Sequence, residues 1–174
     1  LASYLLHDHF DAAQKRRDFD AYEPITTHDS TLSACVHAII AAELGKSDKA
    51  FGYFTETARL DLDDYHGNTH QGIHTAAMAG TWAGLVNGFA GLRITDQGPV
   101  FKPQCPAAWT GYRFKLGYQG RQLAIAVSPS TVRYTLEAGE PLTVGHDGET
   151  VALAPGQTVE RPTLGEGHLQ AAAQ

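Results

Sequence analysis

Cysteine, methionine and tryptophan are scarce in this sequence of 174 residues, which has two, one and two of them. Cys35 and Cys105 stand far apart with no C-x-x-C pair. This excludes a disulfide-dense scaffold and a paired-thiolate motif, and a reduced, cytoplasmic setting is the expectation. No apolar run approaches the ~20 residues of a membrane span, and no basic-then-apolar leader is found. Basic residues are also few: 13 Lys and Arg against 19 Asp and Glu give a formal charge of −6, and the longest cationic run is Lys15, Arg16, Arg17. Neither a nucleic acid nor an anionic membrane is thus an expected partner, and the run is expected to be a solvated helix face. At 43% hydrophobic residues the chain has enough apolar surface for one large or two small packed domains. It begins at Leu1, and LASYLL has the pattern of a buried helix, so the chain is expected to be the end of a longer one.

What is present divides by period. Leu1, Tyr4, Leu5 and Leu6 stand at helical spacing, and a second amphipathic piece covers 11–19. Pro24 interrupts the pattern and Ser30 is the expected N-cap of the next helix. Leu32, Cys35, Val36, Ile39, Ile40 and Leu44 form a stripe that stops at Gly45, a C-terminal cap. Ser47 or Asp48 is expected to cap a helix with Phe51, Phe54, Ala58 and Leu62 on its apolar face, and a further helix is expected over 73–89. Trp82 and Met78 read as core residues. After Gly91 short alternating runs follow at 92–95, 100–102, 112–118, 122–127, 131–136, 142–144 and 150–153. Turn signals such as Gln119-Gly120, Ser128-Pro129-Ser130 and Asp147-Gly148 separate them, the pattern of an antiparallel sandwich.

The chemistry-bearing residues concentrate in 61–82. Asp61, Asp63, Asp64, His66, His70 and His74 stand in one turn-rich span, ahead of a helix rich in small residues. Free amides in the first turn of such a helix favour phosphate, sulfate or an ionised sugar acid. His70 and His74 have the i, i+4 spacing of zinc ligands, but the glutamate of H-E-x-x-H is missing and Gly72 intervenes, so no metal is expected. The aspartates are expected to bond the loop backbone. Thr27, His28, Asp29 and Ser30 read equally as a capping cluster or as ligand-binding groups.

The runs YEPITTHDSTLSACVHAIIAAELG and ARLDLDDYHGNTHQGIHTAAMAGTW, followed by Gly-Phe-Ala-Gly-Leu-Arg, resemble the C-terminal end of glycoside hydrolase family 65 over roughly 1–155. That family includes maltose, kojibiose, nigerose and trehalose phosphorylases and some hydrolases. The resemblance implies a mixed α and β chain: terminal helices of an (α/α)6 barrel over 1–91 and an antiparallel β-sandwich over 92–162; the tail over 163–174, rich in Gly, Ala and Gln, is expected to be flexible from its composition. The resemblance implies an inverting phosphorylase that cleaves an α-linked glucose disaccharide with inorganic phosphate to β-glucose 1-phosphate and glucose, with no cofactor beyond that co-substrate. Glu23 would bind glucose hydroxyls, and His28, Ser30, His74, Thr75, Ala76, Ala77 and Gly80 would form the phosphate neighbourhood. The general-acid glutamate and a sugar-binding Lys-Gln pair would lie upstream, so the chain alone should be inactive. Its partners would be the remainder of the same polypeptide or a companion chain, and a second copy in a homodimer.

Many family phosphorylases have Ser where this sequence has Ala77, and a lost donor to a charged acceptor is worth ~1–3 kcal/mol. Two alternatives follow. One is an inverting hydrolase with Glu23 or Asp29 as base. The other is a carbohydrate-binding or structural module that docks glycans on Trp109, Tyr112, Tyr118 and Tyr134.

Overall fold

A computed structural model describes residues 1–164, so the tail expected over 163–174 lies, from 165 on, outside the described residues. The chain divides into two compact units, Leu1–Gly88 and a second from Phe89 onward.

The first unit is helical: α1 (Ala2–Leu5), α2 (Ala12–Tyr22), α3 (Ser33–Glu43), α4 (Ser47–Arg59) and α5 (Thr75–Ala83), with 3-10 turns at His7–His9, Glu23–Ile25 and Thr69–Gln71 and a π turn at Gly84–Phe89. Asp11 caps α2 by accepting from the Gln14 amide at 2.7 Å. α3 is the core element, with Ala34, Cys35, Ala38, Ile39, Ile40, Ala41 and Ala42 all buried, so almost its whole circumference is covered. It closes as the stripe predicts. Gly45 takes φ 71°, its amide bonds the Ala42 carbonyl at 3.1 Å and the Lys46 amide bonds that of Ala41 at 2.8 Å, a Schellman end that turns the chain directly into α4.

Several local expectations are corrected. Ser30 does not cap α3. Its Oγ accepts from the Leu32 amide at 3.3 Å and its carbonyl from Ser33 at 2.9 Å, which builds a turn ahead of the helix. α4 starts at Ser47 behind Lys46, without a side-chain cap. It buries Ala50, Thr57 and the following Leu60, while Leu62 is exposed. The cationic run is not a solvated face. Lys15 is 3% exposed, with Nζ 2.5 Å from Glu43 Oε1, and Arg16 donates to the Leu44 carbonyl, so two of the three cations lie in the α2–α3 seam. Leu1, Leu5, Leu6, Met78 and Trp82 are exposed, because α1 is a single turn and α5 buries its Ala77 and Gly80 side instead.

The second unit holds β1 (Arg93–Thr95), β2 (Gly98–Phe101), β3 (Tyr112–Tyr118), β4 (Arg121–Val127), β5 (Thr131–Ala138), β6 (Leu142–His146), β7 (Glu149–Leu153) and β8 (Thr158–Pro162). They form two four-stranded sheets in the orders β1-β2-β6-β7 and β3-β4-β5-β8. Every pairing is antiparallel except the short parallel match of Val100 and Phe101 with Gly145 and His146. Alternation along β4 and β5 turns Leu123, Ile125, Val132, Tyr134 and Leu136 inward, and Phe101, Val144, Val151 and Leu153 are buried on the other sheet. Phe101 meets Tyr134 across the interior with ring centroids 5.3 Å apart, which makes the unit a sandwich. Gln119-Gly120 and Asp147-Gly148 have positive φ at both positions, the two-residue turn whose twist matches the strands it joins.

Candidate functional site

The polar residues of the helical unit gather in two places. The first surrounds Glu23, which opens the 3-10 turn after α2. Lys49 Nζ donates to Glu23 Oε2 at 2.7 Å and the Tyr53 hydroxyl donates to Oε1 at 2.7 Å, both from α4. Lys49, then Tyr53, hold the Glu23 carboxyl below the usual carboxylate range, so the group is an anion with both oxygens engaged. The same phenol stands 3.4 Å from His28 Nε2, and Ser33 Oγ lies 3.0 Å from His28 Nδ1. The single phenol proton is directed to Glu23, so His28 Nε2–H donates to the phenol oxygen and Ser33 O–H donates to Nδ1. A directed chain Ser33, His28, Tyr53, Glu23 results. His28 has φ 55°, a left-handed conformation that costs a histidine ~1 kcal/mol and that these two contacts hold in place.

His37 completes the cluster. Its ring lies 4.6 Å from that of His28 and 5.4 Å from that of Tyr53, and Nδ1–H donates to the Ser33 carbonyl at 2.9 Å. Burial pushes its pKa below the ordinary histidine value, so the ring is held neutral. Beside the cluster a cavity of about 300 Å³ is lined by Lys15, Phe19, Tyr22, Glu23, Thr26 and His37, a mixture of aromatic faces and fixed polar groups.

The second gathering is at the start of α5. His74 is the N-cap residue, and Asp61 grips it twice, accepting from the His74 amide at 2.8 Å and from Nδ1 at 2.5 Å. The imidazole is the first cause that holds the Asp61 carboxyl below its usual range. The His66 ring lies 6.4 Å from that of His74. Asp64 accepts from the Thr69 amide at 3.0 Å, the backbone role expected of it, whereas Asp63 pairs with Arg59. In the first turn of α5 the Thr75 amide bonds the Ile73 carbonyl and the Ala77 amide that of His74. The Ala76 amide has no partner among the described residues.

The residues singled out in the sequence therefore fall as follows. Glu23 and His28 share one network, and His74 with Thr75 and Ala76 forms another. Ser30 lies exposed on the connection between α2 and α3, and Ala77 and Gly80 sit on the buried side of α5. No hydrogen bond or ring contact joins His28 to His74 among the described residues. Tyr53 and Asp61, their respective partners, are eight positions apart along α4 and its continuation, a rise of ~12 Å. Tyr53, Lys49 and Ser33 were not picked out from the sequence, since nothing local in α4 marks a pairing with a carboxylate one helix away.

Gly80 has a packing reason. A Cβ there would stand 2.9 Å from Cys35 Cβ and 3.0 Å from its Sγ, so α5 and α3 touch at this point. Gly80→Ala is expected to destabilise the helical unit by ~1–3 kcal/mol, read as a lower urea midpoint in far-ultraviolet circular dichroism.

Three of the four aromatic residues expected to dock glycans are engaged in packing or backbone contacts. Tyr134 is fully buried, Trp109 packs edge-on against Phe89 and Tyr112, and the Tyr112 hydroxyl donates to the Gln104 carbonyl.

Comparison with known proteins agrees with this architecture. Residues 1–83 match the glycosyl hydrolase family 65 central catalytic domain and residues 92–153 match the family 65 C-terminal domain. The α,α-trehalose phosphorylase of Geobacillus stearothermophilus is 46% identical over 160 residues, 92% of this chain and 21% of the relative. The maltose phosphorylase of Bacillus subtilis is 43% identical over 150 residues, 86% of this chain and 20% of the relative. A solved structure of a protein provisionally assigned as a kojibiose phosphorylase from human microbiome superposes with a TM-score of 0.88 at 31% identity, covering 94% of this chain and 24% of that one. The chain thus spans about a fifth of the length of the curated relatives it matches. With both of its units matched by models of one family, in the order in which they follow each other here, the chain belongs to glycoside hydrolase family 65.

Proposed function

We propose that this chain is the C-terminal portion of an inverting α-glucoside phosphorylase, which cleaves a glucose disaccharide with inorganic phosphate to β-glucose 1-phosphate and glucose. The observation that carries the reading is the Asp61–His74 pair at the mouth of α5. With Nδ1 donating to Asp61, the ring has Nε2 left for a ligand. That atom is a donor when the ring holds a second proton and an acceptor for a phosphate O–H when it does not. The Ala76 amide and the positive end of the α5 dipole add to an anion site there. Glu23 takes the sugar side: an ionised carboxylate, fixed at both oxygens beside an aromatic-walled cavity, suits the hydroxyls of a hexose. In this reading His28, which contacts Tyr53 and Ser33, belongs with Glu23 on the sugar side. Ser30 remains a proposed contributor to the anion.

The catalytic step uses a carboxylic acid outside this chain, which protonates the leaving oxygen while phosphate attacks the anomeric carbon from the opposite face. The helices are proposed to be the last of an (α/α)6 barrel, whose remaining elements would cover exposed Ile25, Leu62, Ile73 and Trp82. No helix among the described residues is long and apolar enough to cross a membrane; a cytoplasmic setting and a homodimer are part of the proposal. Ala77 is wholly buried, and the proposal keeps phosphate rather than water as the nucleophile although the hydroxyl common there in family phosphorylases is absent. The test is the reaction of the complete enzyme. Activity is expected to require inorganic phosphate and to release β-glucose 1-phosphate, and release of two glucose molecules at the same rate without phosphate would replace the reading by a hydrolase.

A further inference from the structure

We infer that Tyr53 is a positioning residue of the sugar subsite: its hydroxyl fixes the Glu23 carboxylate in the orientation a sugar meets, and Ser33 and His28 fix that hydroxyl in turn. The inference rests on the reading of Glu23 as a sugar ligand and extends it to residues that no motif marks. Three observations carry it. The phenol donates at 2.7 Å to the Glu23 oxygen that Lys49 leaves free, so the two α4 residues together remove the rotation of the carboxylate. The phenol ring packs against both imidazoles, 5.1 Å from His28 and 5.4 Å from His37, in a three-ring cluster whose two imidazoles are themselves 4.6 Å apart. Both nitrogens of His28 are committed, one to Ser33 and one to the phenol, so that ring orders the phenol and has no nitrogen left for a ligand of its own. This extends to His28 a role different from the anion contact that its motif suggests.

Tyr53→Phe separates this role from packing, because it keeps the ring and its contacts and removes only the hydroxyl. In the active enzyme that contains this chain, the KM for the disaccharide is expected to rise about three- to thirtyfold, while the KM for phosphate and kcat stay within about twofold. The acid limb of kcat/KM for the disaccharide is expected to move to higher pH, because the lost phenol bond is one of the causes that keep the Glu23 carboxyl ionised. Lys49→Met, which removes the other anchor of the same carboxylate, is expected to raise the same KM, and it reads the idea independently should the first variant fold poorly. A combined His28→Gln/Tyr53→Phe variant is expected to lose no more than the worse single change, since both act through one hydroxyl. An unchanged disaccharide KM in Tyr53→Phe, an equal rise in the phosphate KM, or full additivity with His28→Gln would each overturn the inference. Glu23→Gln, assayed alongside, tells the two levels apart: if it leaves disaccharide binding intact, it is the sugar-binding reading of Glu23 that falls.

Discussion

Replacing His74 by alanine in the complete enzyme is expected to lower kcat/KM for phosphate about tenfold to a hundredfold and to leave disaccharide affinity within about twofold. A hydrogen bond to a charged acceptor is worth ~1.5–3 kcal/mol, and about 1.4 kcal/mol is a factor of ten. The asymmetry is the informative part. The His74 ring is tied to Asp61 and not to Glu23, so its loss removes an anion contact and leaves the carboxylate network in place. Asp61→Asn should also lower kcat/KM for phosphate, because an amide has one acceptor oxygen where the carboxylate takes both the His74 amide and Nδ1–H, so one of the two contacts is lost together with the negative charge. Initial rates over a grid of both substrates give the two constants, and equal losses for phosphate and disaccharide would contradict an anion role for His74.

A second large effect is expected in the sandwich, on acidification. His146 is 4% exposed, accepts through Nδ1 from the Tyr134 hydroxyl at 2.9 Å and donates its ring N–H to the Pro162 carbonyl, so the neutral ring is satisfied at both nitrogens. Burial pushes its pKa below the ordinary value of 6.5; Arg161 acts in the same direction, and the Asp147 and Glu149 carboxylates and the Pro162 carbonyl act against it. The unfolded chain therefore takes up a proton near pH 6.5 that the folded chain refuses. Stability from this group is complete above that value and declines as pH falls below it, at most by about 1.4 kcal/mol per pH unit. Denaturant midpoints of the sandwich measured from pH 8 down to pH 5 should show the decline, and His146→Gln should flatten it even where it lowers stability overall. A wild-type midpoint unchanged across that range would rule out the buried neutral imidazole.

Much of the fold was legible because its signals are local. The α3 stripe and Gly45 lie within one helix and its cap, and Gln119-Gly120 and Asp147-Gly148 fix two hairpins from adjacent residues. What escaped depends on distant partners. Lys15 reads as a surface cation until Glu43, on another helix, is brought beside it. β8 is short, places the charged Arg161 on the same half-buried side as Val159 and ends in Pro162, so it has no apolar alternation long enough to notice. Ser30 has the composition of a cap, but the chain uses it for a turn three residues before α3 begins. At the candidate site the residue types came from the resemblance, and their grouping did not. Motif spacing puts His28 and His74 in two conspicuous polar stretches, and only the partners Tyr53 and Asp61 tell the two apart.

The last strand has a consequence for where the protein can be shortened. The family's C-terminal match stops at residue 153, yet β8 pairs with 131–135 of β5, and the Leu164 amide bonds the Pro103 carbonyl. A chain trimmed at 153 would leave the rim of a sheet bare, a row of unpaired amides and carbonyls able to recruit a strand from any neighbouring molecule, and solubility would be lost before the fold was.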